Sequence, residues 1–280
     1  MSRLRTLTGA GQSVWLDFLS RPLITSGGLQ RLIDDHGVSG VTSNPSIFAR
    51  AMVGSDDYDA ALKDLPQRPH DPLEDFYRLA LADIRMAADQ LRPTWVRLEG
   101  GDGFVSFELE PNLAHDAPAS VAAALRLVER IARPNVMIKV PGTVEGVAAV
   151  EELTAAGLNV NITLLFTVDR YEAVAGAYLA GLERRLARGL SVGEIASVAS
   201  FFVSRVDTAT SRLLPAGSTL RGRVAVANAK VAYWTFRSLF SGERWRRRGS
   251  APSSGGAPGG GRKRSPRPGR PRNRHGRGGR

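Results

Sequence analysis

Short apolar runs rich in β-branched residues alternate with longer amphipathic stretches over the first 245 residues. Six runs predict strands: SVWLDFLS (13–20), SGVTSNP (39–45), FVSFELEP (104–111), NVMIKVPG (135–142), LNVNITLLF (158–166) and ASVASFFVSRV (196–206). They are nearly continuous in apolar character instead of strictly alternating, which is typical of parallel strands that are covered on both faces. The pattern therefore predicts a buried parallel sheet.

Helical patterns separate the later strands. They cover residues 118–133, 142–157, 168–189 and 224–240. In the first helix, Val121, Leu125 and Val128 follow one another at spacings of four and three, so we expect them to face inward. The second helix is predicted to begin after an N-cap at Thr143 and to stop at Gly157.

Strands that alternate with helices indicate βαβ units and an α/β fold. Six such units fit either a doubly wound sheet or most of a (β/α)8 barrel of the TIM type. No G-x-G-x-x-G motif follows the first strand, which weakens the dinucleotide-binding alternative. The barrel is the preferred prediction.

The positive charge of the chain is concentrated at one end. The 280 residues carry 38 Lys+Arg and 27 Asp+Glu, for a net charge of +11, but twelve of the basic residues and none of the acidic ones lie in residues 246–280. Residues 1–245 are close to neutral, so the net charge does not indicate a nucleic-acid-binding protein as a whole. Residues 246–280 are rich in Arg, Gly and Pro and contain no large aliphatic or aromatic residue. We expect them to be disordered, because they cannot bury enough apolar area to offset their ordering entropy.

Composition excludes several kinds of site. The sequence has no Cys, which excludes disulfides, thiolate nucleophiles and Cys-based metal sites. The four His residues form no pair with ligand spacing; they are His36, His70, His115 and His275. We expect no metal and no cofactor. No apolar run is long enough to span a membrane, and the first residues lack the apolar segment of a signal peptide. A cytoplasmic protein without a membrane partner is predicted.

One lysine occupies an unusual position. The chain has four, and Lys139 alone lies inside an apolar strand, in VMIKVPG. Burial disfavours the charged form of an amine, and a neutral amine can attack a carbonyl carbon to form a Schiff base. The alternative is that Lys139 pairs with a carboxylate for structural reasons. This strand alone leaves both interpretations open.

Polar residues recur on the other predicted strands, where a core would be apolar. They are Asp17, Asn44, Ser106, Glu108, Asn161, Thr163, Ser200 and Arg205. Each is more commonly a satisfied structural group, but eight of them around one buried lysine are difficult to explain by packing. The carboxyl ends of barrel strands converge at one face, where active sites of this fold lie. This set contains an amine, two carboxylates, several amides and hydroxyls, and one Arg that could bind a phosphate. It indicates carbon–carbon bond chemistry on a sugar phosphate without a metal.

Four motifs resemble those of a known family. GVTSNPSIF (40–48), MIKVPGT (137–143), NVNITLLF (159–166) and SVASFFVSRVD (197–207) are similar to the signature segments of transaldolase. The resemblance runs from about residue 13 to residue 245. WLDFLSR (15–21) resembles the bacterial branch with WLD-x-LSR near its start. The family fold is a (β/α)8 barrel. The resemblance implies transfer of a dihydroxyacetone unit from sedoheptulose 7-phosphate or fructose 6-phosphate to an aldose phosphate, in the pentose phosphate pathway.

The resemblance also implies roles for residues at matching positions. Lys139 would form the Schiff base, Asp17 would be the acid and base of aldol cleavage, and Glu108 with Thr163 would hold the catalytic water. The substrate-binding residues would be Asn44 and Asn161 for hydroxyl groups, Ser200 and Arg205 toward the phosphate, and Phe202 as a wall of the pocket.

The resemblance ends at Trp245. The family continues with a seventh and an eighth strand and a second phosphate-binding Arg, and residues 246–280 match none of these. We therefore expect the chain to have two parts. Residues 1–245 would form an incomplete barrel of about six strands, and residues 246–280 would form a disordered basic tail. A frameshift after Trp245 is the favoured explanation, with a natural basic extension as the alternative. We expect reduced or no activity from such a chain.

Two other functions compete with transaldolase. A class I fructose 6-phosphate aldolase would use the same lysine but release the three-carbon ketone. A nucleic-acid-binding protein would act through the tail, which has no aromatic residue for stacking on bases. Its binding to polyanions would be non-specific and strongly salt-dependent, and no specific nucleic acid is expected.

Overall fold

Six strands and twelve α-helices form the described part of the chain. The computed structural model describes residues 2–53, 55–64 and 71–248. The strands are β1 (Val14–Leu16), β2 (Val38–Thr42), β3 (Phe104–Glu108), β4 (Val136–Pro141), β5 (Val160–Leu165) and β6 (Ser197–Phe201). The first helices are α1 (Arg3–Gly9), α2 (Arg21–Thr25), α3 (Gly28–His36), α4 (Pro45–Met52), α5 (Asp59–Lys63) and α6 (Pro72–Arg97). The later ones are α7 (Ala117–Ile131), α8 (Val144–Ala156), α9 (Val168–Ala187), α10 (Ser204–Leu213), α11 (Val224–Leu239) and α12 (Glu243–Arg248).

The sheet is parallel throughout, and its strands follow one another in chain order. Every neighbouring pair is parallel, in the order β1-β2-β3-β4-β5-β6. Within the described residues, β1 pairs only with β2 and β6 only with β5. The predicted α/β fold is confirmed as an open six-stranded half-barrel with helices between its strands. All carboxyl ends of the strands lie at the same edge of the sheet, which is where barrel enzymes carry their sites.

The two faces of the sheet bury different clusters. Alternate strand residues such as Val105, Ile138 and Ile162 pack with the helices in the main core. On the opposite face, Phe104 and Met137 form a smaller apolar cluster with Ala196. The alternation follows from the two-residue period of a strand, which sends successive side chains to opposite faces.

The predicted ends of α8 are confirmed. The Thr143 hydroxyl accepts a hydrogen bond from the Gly146 amide at 2.9 Å and caps the helix. Gly157 follows the last turn with a φ of 99°, a conformation that glycine adopts without a Cβ clash. Gly189 likewise lies just past the end of α9, with a φ of 71°. These signals are local, which explains why the sequence carries them.

Other predictions were less accurate. The predicted strand segments extend beyond the observed ones at their carboxyl ends. The first is reduced from 13–20 to Val14–Leu16, because the chain bends at Asp17 and begins α2 at Arg21. The expectation that Leu125 faces inward is wrong, since 42% of this residue is exposed. The buried face of α7 is instead formed by Ser120, Ala123, Ala124, Leu127 and Ile131. At 3.6 residues per turn, Leu125 lies on the other side of the helix from these residues and therefore faces solvent.

The predicted domain boundary stays a prediction. Helix α12 crosses the expected division after Trp245 and ends at Arg248. Residues 249–280, the rest of the predicted tail, lie outside the described residues. Among the described helices, none combines the length and the hydropathy that a membrane crossing requires.

Candidate active site

The inner face of the half-barrel has an apolar lower layer and a polar upper layer. The lower layer is the cluster of Phe104, Met137 and Ala196, with Trp15, Trp95 and Val198 partly buried against it. Two residues farther along β3 and β4, the same face carries Ser106 and Lys139 in place of apolar side chains. The polar layer lies at the carboxyl ends of the strands. The tertiary structure thus brings Ser106, Lys139 and Asn161, which lie on three different strands, to one face of the sheet.

Lys139 and Glu108 form the central ion pair of this layer. The Nζ atom of Lys139 lies 3.0 Å from Oε2 of Glu108, and the side chains are 9% and 20% exposed. The two residues are partners in the register between β3 and β4. The partly buried carboxylate of Glu108 compensates the charge of the ammonium group, and it is also close enough to exchange a proton with it. The geometry is consistent with both interpretations left open by the sequence, an amine nucleophile and a structural pair.

A chain of hydrogen bonds joins three strands beside this pair. The Asn161 amide donates to the Ser106 hydroxyl at 3.0 Å, and the Ser200 hydroxyl donates to Oδ1 of Asn161 at 2.8 Å. Asn161 is 1% exposed and is the register partner of Lys139. The two bonds hold the Asn161 amide group between the two hydroxyls, one at its nitrogen and one at its oxygen. Ser106 thereby helps to hold Asn161, a predicted substrate-binding residue, in place.

Asp17 and Asn44 lie on the loops that follow β1 and β2. Asp17 is exposed, one residue past the end of β1. Asn44 caps α4 through Oδ1, which accepts from the Ile47 amide at 2.9 Å. Its amide nitrogen is therefore the part of this side chain left to donate to a ligand. Both residues stand at the carboxyl edge of the sheet, but not on the strands themselves as the sequence pattern suggested, because β1 ends at Leu16 and β2 ends at Thr42.

A bulge in β5 positions Thr163. The register between β5 and β6 shifts between Ile162 and Leu165, and Leu164 has a φ of 59°. Leu164 is the only non-glycine residue with positive φ within a described strand. The extra residue leaves Thr163 almost fully buried on the inner face, returns Leu165 to the core behind the sheet and leaves Leu164 38% exposed. No feature of the sequence pattern signals this bulge.

An aromatic rim stands above β5 and β6. The rings of Phe166 and Phe202 have centroids 5.3 Å apart, and the Arg205 guanidinium carbon lies 4.8 Å from the Phe202 ring centroid. Arg205 is on α10, not on the sixth strand as the sequence pattern suggested, because β6 ends at Phe201. An arginine in the first turn of a helix adjoins the free amide groups of that turn, a combination that favours anions. Phe166 was missed by the sequence analysis, although it follows the fifth strand directly.

Direct contacts join some of the predicted site residues in pairs. Within the described residues, the structure links Lys139 with Glu108, Asn161 with Ser200, and Phe202 with Arg205. Asp17, Asn44 and Thr163 share the same sheet edge, and in the described part of the chain no hydrogen bond or ion pair joins them to Lys139. Among the described residues, no three His, Asp or Glu side chains are grouped as metal ligands.

A parallel half-barrel with a buried lysine at the carboxyl ends of its strands defines a protein of the lysine-bearing (β/α)-barrel class. The family model for transaldolase/fructose-6-phosphate aldolase matches residues 14–246. This match covers well over half of the chain, and the chain belongs to that family. The family predicted from the four motifs is confirmed.

Curated relatives agree with this membership. The chain is 47% identical to the transaldolase of Saccharopolyspora erythraea, over 88% of this chain and 67% of that one. It is 48% identical to the transaldolase of Thermobifida fusca, over 87% and 68%. It is 44% identical to transaldolase 2 of Nostoc punctiforme, over 84% and 65%. The chain spans about two thirds of the length of these relatives.

Proposed function

We propose that this protein is a transaldolase, which transfers a dihydroxyacetone unit from a ketose phosphate to an aldose phosphate through a Schiff base on Lys139. The observation that carries the proposal is the buried Lys139–Glu108 pair on the inner face of a family half-barrel. The donors would be sedoheptulose 7-phosphate and fructose 6-phosphate, in the pentose phosphate pathway of the cytoplasm.

The proposed reaction begins at the lysine. Glu108 accepts the ammonium proton of Lys139, and the free amine adds to the C2 carbonyl of the ketose. Loss of water from this adduct leaves the Schiff base, with Glu108 and Thr163 holding the water molecule that is exchanged. The proximity of Nζ to the carboxylate, 3.0 Å, supports this proton transfer.

Carbon–carbon cleavage follows. Asp17 takes the proton of the C4 hydroxyl as the C3–C4 bond breaks, and the bonding electrons move into the protonated imine to give an enamine. The aldose phosphate leaves, and the enamine carbon adds to the carbonyl carbon of a second aldose phosphate while Asp17 returns the proton to the new hydroxyl group. Addition of water to the resulting Schiff base then releases the new ketose phosphate and restores the Lys139 amine. Asn44 and Asn161 hold hydroxyl groups, which retains the three-carbon fragment between the two half-reactions. Ser200, Arg205 and Phe202 form the phosphate side.

Covalent trapping tests the proposal. The full chain is incubated with fructose 6-phosphate and sodium borohydride, and the labelled residue is found by peptide mass spectrometry. Label on Lys139 is expected, and it should disappear in Lys139→Ala. Lys230→Ala is the matched control, because Lys230 is an exposed lysine on α11 and its loss should leave the label in place. Label on Lys230 or Lys63 with Lys139 unmodified would contradict the proposal.

The fate of the three-carbon unit separates transaldolase from fructose 6-phosphate aldolase. The family model covers both activities, so the distinction must be measured. With erythrose 4-phosphate as acceptor, a transaldolase forms sedoheptulose 7-phosphate and releases little free dihydroxyacetone. Release of dihydroxyacetone at the same rate with and without the acceptor would favour the aldolase.

A further inference from the structure

A buried network lies behind the loop that carries Asp17. The Arg21 side chain donates from Nε to Oδ1 of Asp83 at 2.8 Å, and the Tyr58 hydroxyl donates to Oδ2 at 2.7 Å. Asp83 and Tyr58 are fully buried, and the Arg21 side chain is 14% exposed. Both oxygens of the carboxylate are therefore used, one by a charged partner and one by a neutral partner.

Further contacts close the network around Arg21. Its backbone amide donates to the Tyr58 hydroxyl at 3.2 Å, and its Nη2 donates to the Leu79 carbonyl at 3.3 Å. The guanidinium carbon lies 4.4 Å from the centroid of the Tyr58 ring. The backbone and the side chain of Arg21 are thus both fixed to the Tyr58 segment and to α6. A residue held by these four contacts has little freedom to shift.

The position of the Asp17 carboxylate is set by the backbone segment that runs from β1 to Arg21. Within the described ranges, no hydrogen bond or ion pair engages the Asp17 side chain, so its position follows from its backbone. On one side the backbone is held by β1, where Leu16 pairs with Val41. On the other side Leu19 is fully buried, and Arg21 begins α2 four residues after Asp17.

We infer that Arg21, Asp83 and Tyr58 are positioning residues that set the location of the Asp17 carboxylate during carbon–carbon cleavage. The inference rests on the proposed function. A buried ion pair adds little stability compared with apolar residues of the same size, but breaking it leaves an uncompensated charge and frees the segment it holds. A small displacement of a catalytic group lowers its rate strongly, since a misplacement of about 1 Å can cost on the order of 100-fold.

Tyr58→Phe is the discriminating variant, because it removes one hydroxyl and keeps the ring under Arg21. Tyr178→Phe is its matched control: the Tyr178 hydroxyl is also buried, and it donates to the Ile195 carbonyl near the opposite end of the sheet at 2.8 Å. We expect kcat of Tyr58→Phe to fall roughly 10- to 100-fold with little change in KM. Borohydride trapping on Lys139 should persist, because the Schiff base forms before Asp17 acts. Tyr178→Phe should retain kcat.

Amide hydrogen exchange of residues 17–21 supplies a readout that does not require activity. Faster exchange there in Tyr58→Phe, with unchanged exchange in Tyr178→Phe, is expected. If Tyr58→Phe does not fold, Asp83→Asn is measured in the same way, because it keeps the shape of the side chain and removes the charge. Unchanged exchange at 17–21, or equal kcat in the two tyrosine variants, would overturn the inference. Wild-type protein without trapping on Lys139 would contradict the proposed function instead, and the exchange data would still decide on the network.

Discussion

Lys139 and Glu108 face each other in the register of two parallel strands, and Nζ of the lysine lies 3.0 Å from Oε2 of the glutamate. Each side chain is largely removed from solvent and compensates the charge of the other. Removing one partner alone would leave a charge in an environment of low polarity, whereas removing both would not. Stability measurements can therefore separate the structural part of this pair from its chemical part.

Glu108→Gln should lower the free energy of unfolding by about 2–3 kcal/mol, because the Lys139 ammonium loses its counter-ion. Lys139→Met combined with Glu108→Gln should recover most of that loss, since Met has a similar length and no charge. Transfer activity should fall on the order of 100-fold or more in Glu108→Gln, and the double variant should be inactive. Urea unfolding of the single and double variants checks the first part, and a coupled assay the second. Additive stability losses would show that the pair is not energetically coupled.

The bulge at Leu164 predicts an unusual response to glycine. A φ of 59° strains any residue with a Cβ by about 1–2 kcal/mol, so Leu164→Gly should be more stable than Leu164→Ala by about 1 kcal/mol. The same two substitutions at Leu125, an exposed position inside α7, should give the opposite order, because glycine weakens an ordinary helix. Urea midpoints of the four variants provide the measurement. The same order at both positions would contradict the strained conformation of Leu164.

Two aspartates should contribute to stability with opposite dependence on pH. Burial raises the pKa of the Asp83 carboxyl above its usual value, an effect larger than the opposing hydrogen bonds from Tyr58 and Arg21. The folded protein therefore holds this proton more tightly than the unfolded chain. The stability contribution of Asp83 falls as the pH rises from about 4 through the folded-state pKa. Asp83→Asn should remove this decline, which urea unfolding across the acidic range can detect.

Asp89 is the control for that experiment. The hydrogen bonds from Arg133 lower the pKa of its carboxyl, at 2.6 and 2.9 Å. Its contribution is present above about pH 4 and is lost as the pH falls through the folded-state pKa. Asp89→Asn should therefore reduce the loss of stability in acid, with a small amplitude because the pair is exposed. Equal pH profiles for both asparagine variants would contradict the assigned directions.

Two glycines in α9 should respond differently to alanine. A Cβ at Gly181 would lie 2.6 Å from Cβ of Thr154 on α8, whereas a Cβ at Gly176 would meet nothing within 4 Å. Gly181→Ala should destabilise the protein by about 1–3 kcal/mol through overpacking of the two helices. Gly176→Ala should stabilise it by up to about 1 kcal/mol through helix propensity. Thermal unfolding of both variants is sufficient, and destabilisation at Gly176 would refute the open space around it.

The sequence predicted the features that arise from local periodicity and local chemistry. Continuous apolar runs predicted six parallel strands in the correct order, and the cap at Thr143 and the stop at Gly157 predicted the ends of α8. Lys139 was identifiable because an ammonium group inside an apolar strand is costly to bury. The four motifs then indicated the family, which the family model confirmed. Each of these signals occupies fewer than about 20 consecutive residues.

Only the tertiary structure decided how distant residues meet. Arg21 and Asp83 are 62 residues apart in the chain, and Ser106 and Asn161 are 55 apart, so no periodic pattern could pair them. The rotation of α7 that exposes Leu125, and the bulge at Leu164, also depend on neighbours across the fold. The sequence of a strand determines which side chains point to the same face. Which polar groups share one site depends on how the strands are assembled, because their carboxyl ends then lie side by side. For this protein, the residue types follow from the sequence, and their arrangement follows from packing.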